Sequence, residues 1–217
     1  MKKYKLIIFD LDGTLMDTSV GIINCYNEIA KIYEKKILSK EDFGKIGGSP
    51  PECFQKKYGM NEKQAREATQ KYRTVYAEKG IYEAVVYEGI QEVLKNLREN
   101  GYKIVVATLK LENLAKRILK EFKIDKYFDE IYGVDENDKT TKLDLLKKAM
   151  NNFGVKLEET VLIGDSEYDM IGAKQANIDF VAVLYGLGFS KQEEIEEEQY
   201  ECVSTVQELE KIFRKKD

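Results

Sequence analysis

Asp10-Leu11-Asp12-Gly13-Thr14 sets two carboxylates one residue apart, directly after four apolar residues, Leu6 to Phe9. Three readings compete for such a pair. Hard divalent cations prefer oxygen ligands, so the pair is a candidate metal site. One carboxylate can attack as a nucleophile while its neighbour works as general acid and base. The third reading is strand-end punctuation, because Asp and Gly are common in turns. The chain has no histidine, which removes Ser-His-Asp and Cys-His devices and His-ligated zinc. Acid/base work then falls to carboxylate, Lys, Tyr or Cys, and a metal held by oxygen points to Mg²⁺. Cys25, Cys53 and Cys202 stand in no metal-like spacing and read as reduced structural thiols.

Further polar residues end other apolar runs. Lys103-Ile104-Val105-Val106-Ala107 leads to Thr108, and Val161-Leu162-Ile163 leads to Gly164-Asp165-Ser166, with Asp169 one helical turn on. Lys142 opens a helical stretch after Thr140-Thr141. Each has a local alternative: Thr108 as the cap of the next helix, Asp165 or Ser166 as the cap before Ala176, Lys142 as a surface residue. Taken together, Asp10, Asp12, Asp165 and Asp169 crowd negative charge that needs compensation. A divalent cation and the Lys142 ammonium would supply it. That leaves an electropositive spot beside a carboxylate, where a phosphate fits with Thr108 and turn N–H groups as donors.

The elements that position these residues follow from periodicity. Leu6 to Phe9 reads as a strand covered on both faces, with Gly13 turning the chain after it. Residues 16–85 carry little strand signal. They give helices over Val20 to Tyr33, Glu52 to Tyr58 and Asn61 to Lys79, with a Gly44–Pro51 loop between the first two. From Glu88 helix and strand alternate: helix Gly89–Asn100, strand Lys103–Thr108, helix Leu111–Phe122, strand Glu130–Val134, helix Lys142–Phe153, strand Thr160–Asp165, helix Tyr168–Ala176, strand Phe180–Tyr185 and a last helix Val206–Arg214. Such alternation implies an α/β fold with a doubly wound parallel sheet. Residues 1–15 and 86–217 would form the core domain and 16–85 an inserted helical cap over the carboxyl edge, where ligands bind in open sheets. The acidic stretch from Lys191 to Glu201 reads as a solvated helix surface.

Asp10-Leu11-Asp12-Gly13-Thr14, Thr108, Lys142 and Gly164-Asp165-Ser166-Glu167-Tyr168-Asp169 resemble the four motifs of the haloacid dehalogenase superfamily, in order and over nearly the whole chain. The insertion is similar to that family's type-one cap. Tyr185-Gly186-Leu187-Gly188 before an acidic segment resembles the phosphoglycolate-phosphatase-like branch, including its nucleotidase-like members. The resemblance implies that Asp10 becomes an aspartyl phosphate and that Asp12 protonates the leaving alcohol and then activates water. It implies that Thr108 and the Leu109 N–H hold phosphoryl oxygens, and that Lys142 steadies Asp10. It also implies Mg²⁺ on Asp10, the Asp12 carbonyl and Asp165, with Asp169 in support. Dehalogenases lack an acid at the position of Asp12, because a halide leaves without a proton and an alkoxide does not. One departure is Leu143, where many relatives have proline after the lysine of the third motif. Lys110, Lys139 and Lys147 are rivals for that lysine; the spacing from Lys142 to Asp165 suits one helix, a loop and a strand.

The expected substrate-binding positions are Gly13, Thr108 and Leu109, and in the cap Gly48 and Ser49, whose glycine-rich loop can approach a ligand closely. Lys45, Lys56, Lys57, Arg66 and Arg73 are candidate partners for a second anionic group, though most of them fit a solvated helix surface better. Tyr26, Phe43, Phe54, Tyr58, Tyr72 and Tyr76 are candidates for stacking on a nucleobase but fit a cap core better. With 217 residues, 34% charged and a net charge of −4, the chain lacks the basic balance that nucleic acid polymers require. No apolar run reaches membrane-spanning length and no secretion signal is seen, so the expected setting is the cytoplasm. The expected partner is a small phosphorylated metabolite, and the expected state a monomer or homodimer. Alternatives on the same scaffold are a phosphosugar mutase, whose relatives use a cap histidine absent here, and an inorganic pyrophosphatase. The non-enzyme alternative is a phosphoryl-accepting signalling domain, whose accepting aspartate lies on another strand and which carries no helical cap.

Overall fold

The computed structural model describes residues 4–136, 139–195 and 200–213. Strand β1 (Leu6–Phe9) is buried at all four positions, as a run without polar residues demands. It pairs in parallel with β4 (Lys103–Leu111) on one side and β6 (Thr160–Gly164) on the other. β5 (Glu130–Val134) extends the sheet beyond β4, and β7 (Asp179–Val183) and β8 (Glu201–Val203) extend it beyond β6. The order β5-β4-β1-β6-β7-β8 is that of an α/β, Rossmann-like parallel sheet. The central place of β1 brings the ends of β4 and β6 beside its own.

Flanking helices complete the sandwich. α5 (Ile90–Glu99) packs against α9 (Val206–Phe213), and α7 (Lys142–Phe153) against α8 (Glu167–Ala176). α6 (Glu112–Glu121) packs against β4 and β5. Between β1 and β4 lie α1 (Ser19–Ile32), α2 (Lys40–Phe43), α3 (Pro50–Tyr58) and α4 (Glu62–Glu78). Their shared interior is aromatic: the Tyr26 and Tyr72 rings stack at 4.3 Å, and Phe54 meets Tyr26 edge-on at 4.9 Å. Such pairs add about 0.5–1.5 kcal/mol each beyond the area they bury. Among the described residues no helix is long and apolar enough to cross a membrane.

Several elements differ from the sequence expectation. Two-residue strands β2 (Met16–Asp17) and β3 (Val85–Val86) pair antiparallel where the helical insertion leaves and rejoins the sheet; strands that short carry no periodicity. β4 continues past Thr108 to Leu111, with a register shift between Ala107 and Leu111. α2 was not expected, and α3 starts at Pro50, since proline suits a first helical turn. The described residues of the acidic stretch do not form the helix expected of it. Gln192–Glu194 makes one 3₁₀ turn, and Glu201 opens β8. Residues 196–199 and Arg214, the expected end of the last helix, lie outside the described residues.

Candidate active site

Asp10 leaves β1 buried, and its nearest partner comes from 132 residues away. Lys142 Nζ lies 2.8 Å from Asp10 Oδ1, 2.7 Å from Asp169 Oδ1 and 2.7 Å from the Ala107 carbonyl. Local sequence sets up this reach. Thr141 and Asp144 form a reciprocal cap at the start of α7, which fixes the first turn so that Lys142 points inward. Burial pushes the Asp10 carboxyl up to about 7, with Lys142 opposing the rise and Asp169 adding to it. For Lys142, burial works against the charge, but Asp10 and Asp169 outweigh it and hold the ammonium above its ordinary range. The lysine is thus the compensating charge of a buried carboxylate group.

Asp169 has two duties. Its Oδ2 accepts from the Ser166 hydroxyl at 2.6 Å in the capping box of α8. Oδ1 lies beside Lys142 outside hydrogen-bond geometry and has no other partner among the described residues. Asp165, at the end of β6, is held by a loop beyond β7. Its Oδ2 accepts the Leu187 and Gly188 N–H groups at 2.7 and 2.9 Å, and Oδ1 accepts the Thr14 hydroxyl at 3.3 Å. Burial, then the charges of Asp169 and Asp10, push the Asp165 carboxyl well above its ordinary range against those two N–H donors. The approach is close enough to require glycine. A Cβ on Gly13, itself at φ +79°, would strike Asp165 Oδ2, and one on Gly186 would strike the Asp165 side chain and the Gly13 carbonyl.

Asp12 sits apart from this group and has its own pair of partners. Thr18 donates its hydroxyl to Oδ1 at 2.7 Å, and Lys110 Nζ lies 3.0 Å from Oδ2. Lys110 also donates to the Tyr76 hydroxyl at 3.2 Å, from above a ring whose centroid is 4.3 Å away. Burial opposes its charge, but Asp12 and Tyr76 hold the ammonium above the ordinary range. The rival lysines therefore separate by position: Lys142 reaches Asp10, Lys110 reaches Asp12, and Lys139 and Lys147 are exposed.

These groups face a cavity of about 90 Å³ between the sheet edge and the helical insertion. Asp10, Asp12, Thr108, Leu109, Lys142, Asp165, Asp169 and Gly48 all line it. Two expected substrate-binding positions do not: Gly13 packs against Asp165, and Ser49 is the residue before α3. Thr108 does not cap α6 either; its hydroxyl accepts the Lys110 N–H at 3.3 Å. Among the cap cations, Lys45 and Arg66 are exposed in pairs with Glu194 and Glu62. Arg73 differs from expectation: it is buried, lines the cavity and donates to the Glu136 carbonyl at 3.2 Å. Thr18 was missed as a site residue; Thr14 and the Gly186–Gly188 loop stood inside motifs without a role, and Lys110, weighed only as a rival for the third-motif lysine, pairs with Asp12 instead.

One oxygen from each of Asp10, Asp165 and Asp169 lies within 4.8 Å of the others. Ligands on opposite sides of Mg²⁺ stand about 4.2 Å apart, twice a bond of about 2.1 Å, so the spacing is of the right scale. An all-oxygen donor set with one buried carboxylate oxygen lacking a hydrogen bond fits a hard divalent cation.

Comparison with known proteins identifies the family. Residues 7–183 match the family model of the haloacid dehalogenase-like hydrolases. A 5'-nucleotidase of Pseudomonas aeruginosa is 35% identical over 190 residues, covering 86% of this chain and 85% of its own. The pyrophosphatase PpaX of Halalkalibacterium halodurans is 33% identical, covering 83% of this chain and 84% of its own. The crystal structure of a predicted phosphatase from Clostridium acetobutylicum superposes with a TM-score of 0.89 at 34% identity, over 97% of this chain and 98% of that one. On the family match, the relatives and the shared fold, the chain belongs to the haloacid dehalogenase-like hydrolases, among their phosphatases.

Proposed function

We propose that the protein hydrolyses a small phosphomonoester with Mg²⁺ through a phosphorylated Asp10. The observation that carries the reading is the separate wiring of the two carboxylates. Lys142 holds Asp10 Oδ1 at 2.8 Å, leaving Oδ2 as the attacking atom, while Thr18 and Lys110 orient Asp12. Asp10 Oδ2 forms the P–O bond as the bond to the leaving alcohol breaks, and Asp12 gives that oxygen its proton. Asp12, now ionised, takes a proton from water, whose oxygen attacks phosphorus and restores the Asp10 carboxylate. Thr108 and the Leu109 N–H donate to phosphoryl oxygens. Asp10, Asp165 and the Asp12 carbonyl, with Asp169 in support, would hold Mg²⁺, which neutralises developing phosphoryl charge when bound. Residues 1–15 and 86–217 act as the catalytic core and 16–85 as a cap that selects the substrate, and the cytoplasm is the setting.

The test is phosphate release from a panel of phosphorylated metabolites, nucleoside monophosphates and pyrophosphate, with Mg²⁺ and with chelator. Wild type should release phosphate only with metal, and Asp10→Asn should release none. Undiminished release by Asp10→Asn would overturn the nucleophile. A phosphorylated Asp10 lasting minutes without turnover would favour the signalling alternative, and isomer formation in place of phosphate release would favour a mutase.

A further inference from the structure

We infer that Lys110 selects substrates carrying a second anionic group, a carboxylate or phosphate bonded close to the bridging oxygen. The inference rests on the phosphatase reading above and deepens it. Lys110 lies two residues past Thr108, inside the register shift in β4, and its ammonium meets the Tyr76 hydroxyl of α4. Its side chain is only 8% exposed, and its Nζ lies 3.0 Å from Asp12 Oδ2, an oxygen of the group that must reach the bridging oxygen. An anion on the neighbouring carbon or phosphorus then falls within reach of the same ammonium. An ammonium has three donor hydrogens. The Tyr76 hydroxyl takes one in a hydrogen bond, and Asp12 Oδ2 stands at 3.0 Å as the ion-pair partner, so the ammonium keeps a donor for a further acceptor.

The rest of the wall supports the same class. Ile22, Phe43 and Leu114 also line the cavity beside the buried Arg73, and these apolar side chains offer a sugar or a neutral polyol no hydrogen-bond partner. Tyr26, Tyr72 and Tyr76 stack on one another at 4.3 and 5.7 Å, which uses ring faces a nucleobase would need.

The experiment measures kcat/KM with Mg²⁺ for pyrophosphate, 2-phosphoglycolate and ethyl phosphate, the last lacking the second anion. Wild type should favour at least one anionic substrate over ethyl phosphate by about 10- to 100-fold, the scale of one charge-assisted hydrogen bond. Lys110→Met should lower ethyl phosphate turnover through the lost pairing with Asp12 but lower kcat/KM for the preferred anionic substrate about 10- to 100-fold further, erasing most of the preference, and Lys110→Arg should keep the preference. Which anionic substrate responds identifies carboxylate or phosphate as the recognised group. Equal loss on all three in Lys110→Met, or a wild type without preference, overturns the role of Lys110 and leaves the phosphatase reading standing. The wild-type ratio tests the inference even if a variant does not fold. Absence of any Asp10-dependent phosphate release refutes both.

Discussion

Replacing Lys142 by methionine removes a charge and keeps much of the side chain's bulk, so it isolates what the ammonium contributes. Lys142 Nζ serves Asp10, Asp169 and the Ala107 carbonyl, all within 2.8 Å. Removing one partner of a buried ion pair costs about 3–5 kcal/mol. At this chain length each kcal/mol moves Tm by about 2–4 °C, so Lys142→Met should lower Tm by about 6–20 °C in chelator. The measurement belongs at pH 8, above the value of about 7 to which burial pushes Asp10, so that Asp10 is mainly ionised in the wild type that serves as reference. A divalent cation among the uncompensated carboxylates should recover part of the loss, and Mg²⁺ should raise Tm more in the variant than in wild type. Turnover should fall by at least about 100-fold even with saturating Mg²⁺, the scale of a lost electrostatic partner of the transition state. Thermal unfolding by circular dichroism with and without Mg²⁺ reads the first two outcomes, and phosphate release reads the third. A variant that unfolds within about 2 °C of wild type in chelator would refute the buried-charge account. Near-normal turnover would move the role to another lysine.

Two further perturbations address the contacts around Asp165 and Asp12. Gly186→Ala drives a Cβ into Asp165 and the Gly13 carbonyl, displacing the loop whose N–H groups hold the carboxylate. The Mg²⁺ concentration for half-maximal activity should rise about 10- to 100-fold, as for other supports of metal ligands, and an unchanged Mg²⁺ titration would show that the loop does not position Asp165. Thr18→Val removes the 2.7 Å bond to Asp12 Oδ1 at near-constant volume. It should lower kcat about tenfold, the worth of roughly one hydrogen bond to a charged group, with little change in KM; a change in KM alone would place Thr18 in substrate binding instead.

Much of this was legible in the chain because its signals are local. Leu6 to Phe9 can only be a buried strand, and Asp10 and Asp12 follow it without a gap. Asn61 and Gln64, Thr141 and Asp144, and Ser166 and Asp169 cap helices within three residues of each other. The capping role of Ser166 and the buried position of Asp169 proved compatible, since the carboxylate has two oxygens and caps with one. What stayed hidden has no local signature. β2 and β3 are two residues each, and β8 forms only because β7 offers an edge. Arg73 sits in a strongly charged, polar-looking helix, and only the packing of α4 shows that it lies on the buried side.

The amino-acid sequence alone determined the parallel α/β class and the helical stretch after the first strand, it supplied the expected motif positions, and a chain without histidine leaves acid/base work to carboxylate, Lys, Tyr or Cys. It did not determine which charge answers which. Lys110 and Lys142 are both lysines near motif residues, and spacing ranks them without assigning partners. The sheet order decides it: with β1 between β4 and β6, Lys142 reaches Asp10 from 132 residues away, and Thr14 reaches Asp165 from 151. Charge pairing depends on distances of a few ångströms, and those exist only once the strands that carry the charges lie side by side.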